Sequence, residues 1–497
     1  MSEETELKLD LAAGAEAAVR SSPLLSGAPT RTKRQLSIYF DTPGRKLAKQ
    51  GCTLRLRLVE EQWIQTVKLT TAAGGLFERS EWEWAVAGDR PELKRLAEVP
   101  VELGSPDKLA RKLEPTLQSE VERTSWQVDA EGSRVQVDLD VGTLTAGNNS
   151  TRVEEVEFEL LDGPAEAVVQ FGRQVAEQVP ARLGVLSKAD RGAALMDGTL
   201  GAPVRASPVA VTGELTVAQA FAAIVHACLR HYRLNEEVVI EQRDPTALHQ
   251  GRVALRRLRS AFTLFKPAIG GDPHFQELRE ELRWFTNQLG DARNLDVFLT
   301  RDLPPDEQAD ASNRREGAYD QVVTAMTEPR SRLLVIDLTA WAAIGDWRHS
   351  KRAKQPIGAF ADKRLDRLWG TVEPTGRSLA RMTEESRHEL RIQIKKMRYA
   401  VEFFHRLHPE TKVKKRFGVA VEQLQEALGK LNDLATARTI SSGEGSGWLG
   451  EQSEELSWLG EAEVALKALG KAGPFWRTSA EGSDNSSTKV RRGFSAP

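Results

Sequence analysis

The chain has 497 residues, 40% hydrophobic and 28% charged, with a formal net charge of −2. This is the composition of a soluble globular protein of about two to four domains, and it excludes a polycation that binds nucleic acid through its overall charge. The two cysteines, Cys52 and Cys228, exclude a disulfide framework or a cysteine zinc site, and no stretch approaches the ~18 apolar residues of a membrane helix. Residues 1–20 contain no apolar run of signal-peptide length, so the expected location is the reducing cytoplasm. All eight histidines lie at or after His226. A metal held by the first 225 residues would therefore rest on carboxylates, the ligands of hard cations such as Mg²⁺ or Mn²⁺.

In chain order, Glu4-Thr5-Glu6-Leu7-Lys8 is a strand pattern with two carboxylates and one amine on one face and leucines on the other. Alone, such a pattern is ordinarily the wet face of an antiparallel strand. Later segments repeat it. Thr53-Leu-Arg55-Leu-Arg57-Leu58 sets two arginines against leucines, and Arg79-Ser-Glu81-Trp-Glu83-Trp84 sets charges against tryptophans. Residues 91–118 read as one helical interruption. Arg134-Val-Gln-Val-Asp138-Leu-Asp140 and Glu155-Val-Glu157-Phe-Glu159 then resume the alternation. Strand faces that are doubly acidic or doubly basic repel themselves unless something of opposite charge lies between them. A closed barrel with the charged faces inside, holding a polyanion and cations, resolves the conflict.

Glu4-x-Glu6-x-Lys8, Tyr39-Phe40-Asp41-Thr42-Pro43, Leu54-Arg55-Leu56-Arg57, Thr66-Val67-Lys68, Arg79-x-Glu81-x-Glu83, Leu139-Asp140-x-Gly142 and Glu155-Val156-Glu157-Phe158-Glu159 together resemble the CYTH family, the triphosphate tunnel metalloenzymes. The resemblance covers roughly residues 1–200. It implies an eight-stranded antiparallel tunnel that binds a triphosphate with two divalent cations, Mg²⁺ or Mn²⁺, and hydrolyses the terminal phosphoryl group. Carried over residue by residue, it makes Glu4 and Glu6 metal-binding catalytic carboxylates and Lys8 the amine of that motif. Arg55, Arg57, Lys68, Arg123 and Lys188 become triphosphate-binding bases. Glu155 and Glu157 join the metal set, with Glu159 a weaker third member. Asp138 and Asp140, two apart on one face, are both candidates for the remaining ligand.

Residues 201–213 read as a linker, 214–470 as a helical domain and 471–497 as a disordered tail. The helical part repeats itself at an offset of 139 residues: His249-x-x-Arg252-x-x-x-Arg256-Arg257-x-Arg259 returns as His388-x-x-Arg391-x-x-x-Lys395-Lys396-x-Arg398, and Leu289-Gly290 as Leu428-Gly429. Such a repeat predicts two related bundles about a pseudo-twofold axis. His249, Arg252, Arg256 and Arg259 fall within an arc of roughly 80° on a helix. Apart from Glu389 the two motifs lack the carboxylates that usually relieve such a face, so the pattern asks for an anion.

These motifs resemble the CHAD domain, a helical module that binds inorganic polyphosphate. That resemblance assigns His249, Arg252, Arg256, Arg257, Arg259, His388, Arg391, Lys395, Lys396 and Arg398 to polyphosphate. The fold class expected is thus α+β multidomain, a β tunnel followed by an all-α domain. The expected partners are triphosphate and polyphosphate, including polyphosphate granules, with no membrane and no nucleic acid; the basic face lacks stacking aromatics. Three other functions fit the same motifs: an adenylate cyclase, a thiamine triphosphatase, and a non-catalytic polyphosphate-binding protein.

Overall fold

The computed structural model describes residues 2–69, 78–101, 103, 105–130, 132–372, 379–440 and 451–477. Strands β1 (Ser2–Leu11), β2 (Thr30–Asp41), β3 (Cys52–Val59), β4 (Gln62–Leu69), β5 (Glu78–Val86), β6 (Glu114–Ala130), β7 (Ser133–Ala146) and β8 (Asn149–Asp162) pair in the order β5-β4-β3-β2-β6-β7-β8-β1. β1 then closes the ring on β5, Ser2–Thr5 lying antiparallel to Glu78–Glu81. A short ninth strand, β9 (Ala181–Leu183), takes the rest of that edge opposite Leu9–Leu11. Among the described residues the sheet therefore has nine strands where eight were expected. The extra one exists because β1 outruns its pairing with β5.

Helices α1 (Glu16–Arg20), α2 (Lys46–Lys49), α3 (Pro106–Ala110), α4 (Ala165–Gln178) and α5 (Lys188–Met196) decorate the barrel. The helical interruption expected over residues 91–118 is smaller than predicted. It holds a 3₁₀ turn at Leu93–Glu98 and the five-residue α3, and β6 already starts at Glu114.

The pleat turns the charged set of each strand inward and the apolar set outward. On one side Leu7, Leu9, Val137, Leu139, Val156 and Phe158 are buried with Val168, Phe171 and Val175 of α4. Burying the Phe158 ring fully stabilises by about 2–3 kcal/mol, and its edge meets Phe171 at 6.0 Å. Gly172 allows α4 to lie close on β1, since a Cβ there would stand 2.4 Å from Leu7 Cδ2. On another side Leu54, Leu56 and Val67 pack beneath Leu96, Val99 and Leu109. Part of the lumen departs from the charged interior expected of it. Tyr39, Leu117, Val121, Leu144 and Val153 form an apolar cluster there, packed against Ala189 and Leu195 of α5.

The second domain comprises α6 (Val217–Gln242), α7 (Pro245–Ile269), α8 (Phe275–Gln288), α9 (Gly290–Phe298), α10 (Pro305–Thr327), α11 (Pro329–Ile344), α12 (Ile357–Val372), α13 (Glu384–Phe403), α14 (Lys412–Ile440) and α15 (Glu451–Ala472). The repeat is visible in its caps. Asp244 accepts from Ala247 N at the start of α7, and Thr383 from Ser386 N at the start of α13. The Leu289-Gly290 step breaks α8 from α9, whereas α14 runs unbroken through Leu428-Gly429. No described helix is long and apolar enough to cross a membrane.

Two segment boundaries differ from expectation in packing. Val209 and Val211 of the stretch read as linker are buried, and Asn235 Oδ1 accepts from Val204 N at 3.0 Å. Beyond residue 470, Phe475 and Trp476 are buried against Phe417 and, for Trp476, Trp369 as well. Residues 478–497, the rest of the segment read as tail, lie outside the described residues.

Candidate functional site

Register across β1 and β8 places Glu6 opposite Glu159, Lys8 opposite Glu157 and Asp10 opposite Glu155. Across β7 and β8, Asp138 faces Glu157 and Asp140 faces Glu155. The lumen therefore concentrates carboxylates, and cations from three elements answer them. Arg123 on β6 bonds Asp138 at 2.7 Å, Asp140 at 2.6 Å and Glu157 at 2.6 Å. Lys188, the first residue of α5, stands 2.7 Å from Asp140 and 3.5 Å from Glu157 and also bonds Glu155. Lys8 Nζ lies 3.1 Å from Glu155.

Oxygens of Asp140, Glu155 and Glu157 all lie within 4.8 Å of one another. An all-carboxylate set of this kind suits a hard divalent cation rather than zinc, and one oxygen of the neighbouring Asp138 is buried without a hydrogen-bond partner. These residues fit a metal. Of the two aspartates the sequence left open, Asp140 belongs to the cluster, while Asp138 is held by Arg123 and Gln136. Glu6 lies on the same lumenal face; the Glu4 side chain, like that of Arg79, lies outside the described residues. Burial alone would raise the Asp140 and Glu157 pKa values, but Lys188 and Arg123 hold both below the usual carboxylate range, Glu157 well below it. Burial works against the charge of Lys188, yet Asp140, Glu155 and Glu157 keep its amine well above the ordinary lysine value.

The other wall is basic. Arg55 lies 3.6 Å from Glu81 and donates to Thr66 Oγ1 at 3.2 Å. Lys68 lies 2.9 Å from Glu81. Arg57 donates to the Ser37 hydroxyl at 3.3 Å, and burial with the neighbouring Arg55 and Arg123 pushes its guanidinium down to about 10. A cation disfavoured to this degree is one an anion would relieve. Arg57 and Arg123 also line a mouth of about 450 Å³ together with Lys33 and Arg31. Sequence patterning missed Lys33, Asp10 and Arg191. Asp10 simply continues the Glu4-Glu6-Lys8 alternation, and Arg191 lies one helical turn after Lys188, so both carried a signal.

In the helical domain, the basic faces of α7 and α13 meet in one groove of about 590 Å³. Arg252, Arg256 and Arg259 line it from α7, and His388, Arg391, Lys395 and Lys396 from α13. α8 adds Arg279 and Arg283, an i,i+4 pair the repeat did not reveal. Nε and Nη1 of Arg252 and Nε of Arg391 are buried without a hydrogen-bond partner. Burial and the nearby Arg293, Arg256, Arg252 and Lys395 push the His249 imidazole down to about 4. His388 Nδ1 pairs with Asn432 Oδ1 at 3.1 Å. Arg398 turns to Gln425 Oε1 at 3.1 Å. Arg257 does not join the groove. It is 1% exposed, 2.6 Å from Glu402 and over the Phe403 ring, because its position on α7 faces α13 rather than solvent.

Residues 2–193 match the family model described as the CYTH domain, and residues 223–441 that described as the CHAD domain. An inorganic triphosphatase of Haemophilus influenzae is 28% identical over 157 residues, which are 31% of this chain and 44% of that protein. The chain thus matches less than half the length of that curated relative. Among solved structures, a CHAD domain from the plant Ricinus communis shares 29% identity over 55% of this chain and 96% of its own, with a TM-score of 0.45. A Hippeastrum protein described as a putative adenylyl cyclase with a dominant triphosphatase activity shares 17% identity over 40% of this chain and 97% of its own, with a TM-score of 0.31.

Proposed function

We propose that this chain, which carries a CYTH domain at residues 2–193 followed by a CHAD domain at 223–441, is a metal-dependent triphosphatase acting on inorganic triphosphate or a simple relative of it. The helical domain, in the same proposal, binds inorganic polyphosphate, and the protein works in the cytoplasm. The observation that carries the catalytic half is the convergence of Asp140, Glu155 and Glu157 within 4.8 Å in a lumen that also holds Arg57 and Arg123.

Asp140, Glu155 and Glu157 would hold Mg²⁺ or Mn²⁺, with Glu4 and Glu6 as the further carboxylates. Cations bound there supply charge neutralisation of phosphate oxygens and a more acidic water. The chain's own residues do the rest. Arg55, Arg57, Lys68 and Arg123 offer charge-assisted donors to the triphosphate oxygens, with the guanidinium forks orienting the chain of phosphates. Lys188, kept protonated by its carboxylate neighbours, adds a fixed positive charge where negative charge spreads during transfer. Lys8 holds Glu155 in place through its ammonium group. Hydrolysis forms a bond from water oxygen to the terminal phosphorus and breaks the bridging P–O bond, releasing orthophosphate and pyrophosphate.

The deciding experiment offers purified protein, with and without Mg²⁺ or Mn²⁺, tripolyphosphate, ATP and thiamine triphosphate. Orthophosphate released from tripolyphosphate only with metal is the expected result. Cyclic AMP and pyrophosphate from ATP would select a cyclase, preference for the thiamine ester would select that substrate, and no turnover would leave a binding protein.

Polyphosphate binding should consume protons. Burial and the neighbouring Arg256, Arg391 and Arg252, opposed by Asp433, push the Lys395 amine down to about 6. Between pH 6 and its ordinary value of 10.5, the unfolded chain binds a proton there that the folded chain does not, so this group's contribution to stability increases with pH. A polyanion in the groove reverses that depression. Affinity is therefore expected to rise as pH falls from 8 to 6, with up to one proton taken up per site, as calorimetry in buffers of different ionisation enthalpy would read. Lys395→Met should reduce this uptake; an unchanged proton count would remove Lys395 from the contact set.

A further inference from the structure

Strand β9 is an edge strand, and an uncovered edge leaves backbone carbonyls exposed to water or to another chain. Its pairing with β1 uses one alternating set of backbone groups: Gly184 N donates to Lys8 O at 2.8 Å, and Ala12 N to Pro180 O at 2.8 Å. The opposite set, the carbonyls of Val179, Ala181, Leu183 and Val185, faces away. Every one of these four accepts a hydrogen bond from an arginine of the helical domain. Arg332 on α11 reaches Val179 O and, at 3.4 Å, Ala181 O. On α6, Arg233 Nε reaches Leu183 O at 2.8 Å, and Arg230 reaches Val185 O.

Directly beyond this clamped segment come Ser187, which caps α5, and then Lys188 and Arg191, whose side chains enter the lumen. The fit leaves little slack, since a Cβ on Gly184 would stand 2.7 Å from Lys8 Cε and 3.1 Å from Asp10 Oδ1. Arg233 also contributes charge. Paired with Glu236, it lies 4.0 Å from Asp10, which binds Arg191 at 3.0 Å, and Arg191 in turn lies 3.9 Å from Glu155 of the carboxylate cluster. Three guanidinium groups of one domain thus hold the backbone that carries two lumenal cations of the other.

We propose that Arg230, Arg233 and Arg332 are positioning residues for the tunnel, setting Lys188 and Arg191 at the carboxylate cluster, so that the triphosphate site is complete only with the helical domain docked. This rests on the triphosphatase function proposed above. Arginine is suited to the role because its planar fork donates in several directions at once and stays charged when buried. A lysine keeps the charge and loses the fork.

The test uses the full chain with Arg233→Lys and, separately, Arg230→Met. The second residue is only half-buried, so its loss threatens folding least. Both variants are expected to keep polyphosphate affinity in the groove, to raise KM for tripolyphosphate about tenfold with a smaller change in kcat, and to speed amide exchange over residues 181–191 but not in α7. Exchange unchanged in both variants overturns the proposal. So does faster exchange with unaltered KM, which would make the arginines interdomain adhesive and nothing more. If the wild-type chain binds tripolyphosphate without hydrolysing it, the proposed function fails, and the dissociation constant replaces KM in judging the clamp. If it neither binds nor hydrolyses, there is no triphosphate site for the arginines to complete, and this proposal fails together with the proposed function.

Discussion

Glu157→Gln is expected to lower kcat/KM for tripolyphosphate by about 10²-fold or more at saturating Mg²⁺, while Tm stays within about 5 °C of wild type. The substitution keeps shape and removes charge from one of three carboxylates that converge within 4.8 Å. Folding should tolerate it, because Arg123 keeps Asp138 and Asp140, and Lys188 keeps Asp140 and Glu155. The carboxylate held below its ordinary value contributes stability above the unfolded pKa near 4.5 and loses it as pH falls further. At neutral pH the variant therefore forgoes that contribution, and the gap from wild type should narrow in acid. Glu154→Gln is the control. It sits on the same strand with its side chain on the opposite face, and orthophosphate release should be unaltered. Turnover by Glu157→Gln within threefold of wild type would remove this residue from the metal-holding set.

Reversing charge at Arg252 and Arg256 together, both to Glu, should weaken binding of long-chain polyphosphate by about 10²-fold or more and flatten the log–log salt dependence by about two units, one per lost phosphate contact. Arg391→Glu with Lys395→Glu should do similar damage, since α7 and α13 line one groove. Arg257→Gln should behave differently. Its partner is Glu402 at 2.6 Å rather than the groove, so stability should fall while affinity per folded molecule holds. Fluorescence titration across salt concentrations reads all four proteins. Equal loss in Arg257→Gln, or wild-type affinity in both double variants, would contradict the placement of the groove. Duplex DNA competing as well as polyphosphate per unit charge would reduce it to a nonspecific cationic surface.

Much of the barrel was legible because a strand's period of two is a local property. Arg55 with Arg57 and Glu155 with Glu157 had to share a face wherever the strands went. The helical repeat was legible for the same reason, and Arg252, Arg256, Arg391 and Lys395 do line one groove. Arg257 shows where local pattern fails. It is adjacent to Arg256, yet about 100° around the helix, and the packing of α7 on α13 buries it.

By itself, the sequence determined which residues alternate, where the period changes from strand to helix, and that two basic stripes recur. Only the tertiary structure decided that Asp140 rather than Asp138 joins Glu155 and Glu157, that α5 brings Arg191 into the lumen beside Lys188, and that a three-residue ninth strand is held by arginines of the other domain. Periodicity is set by neighbours along the chain, and a strand of three residues is too short to display it. Cross-strand register, the seating of a helix and the covering of an edge arise between groups distant in sequence, through complementary shape and charge that no window of neighbouring residues contains.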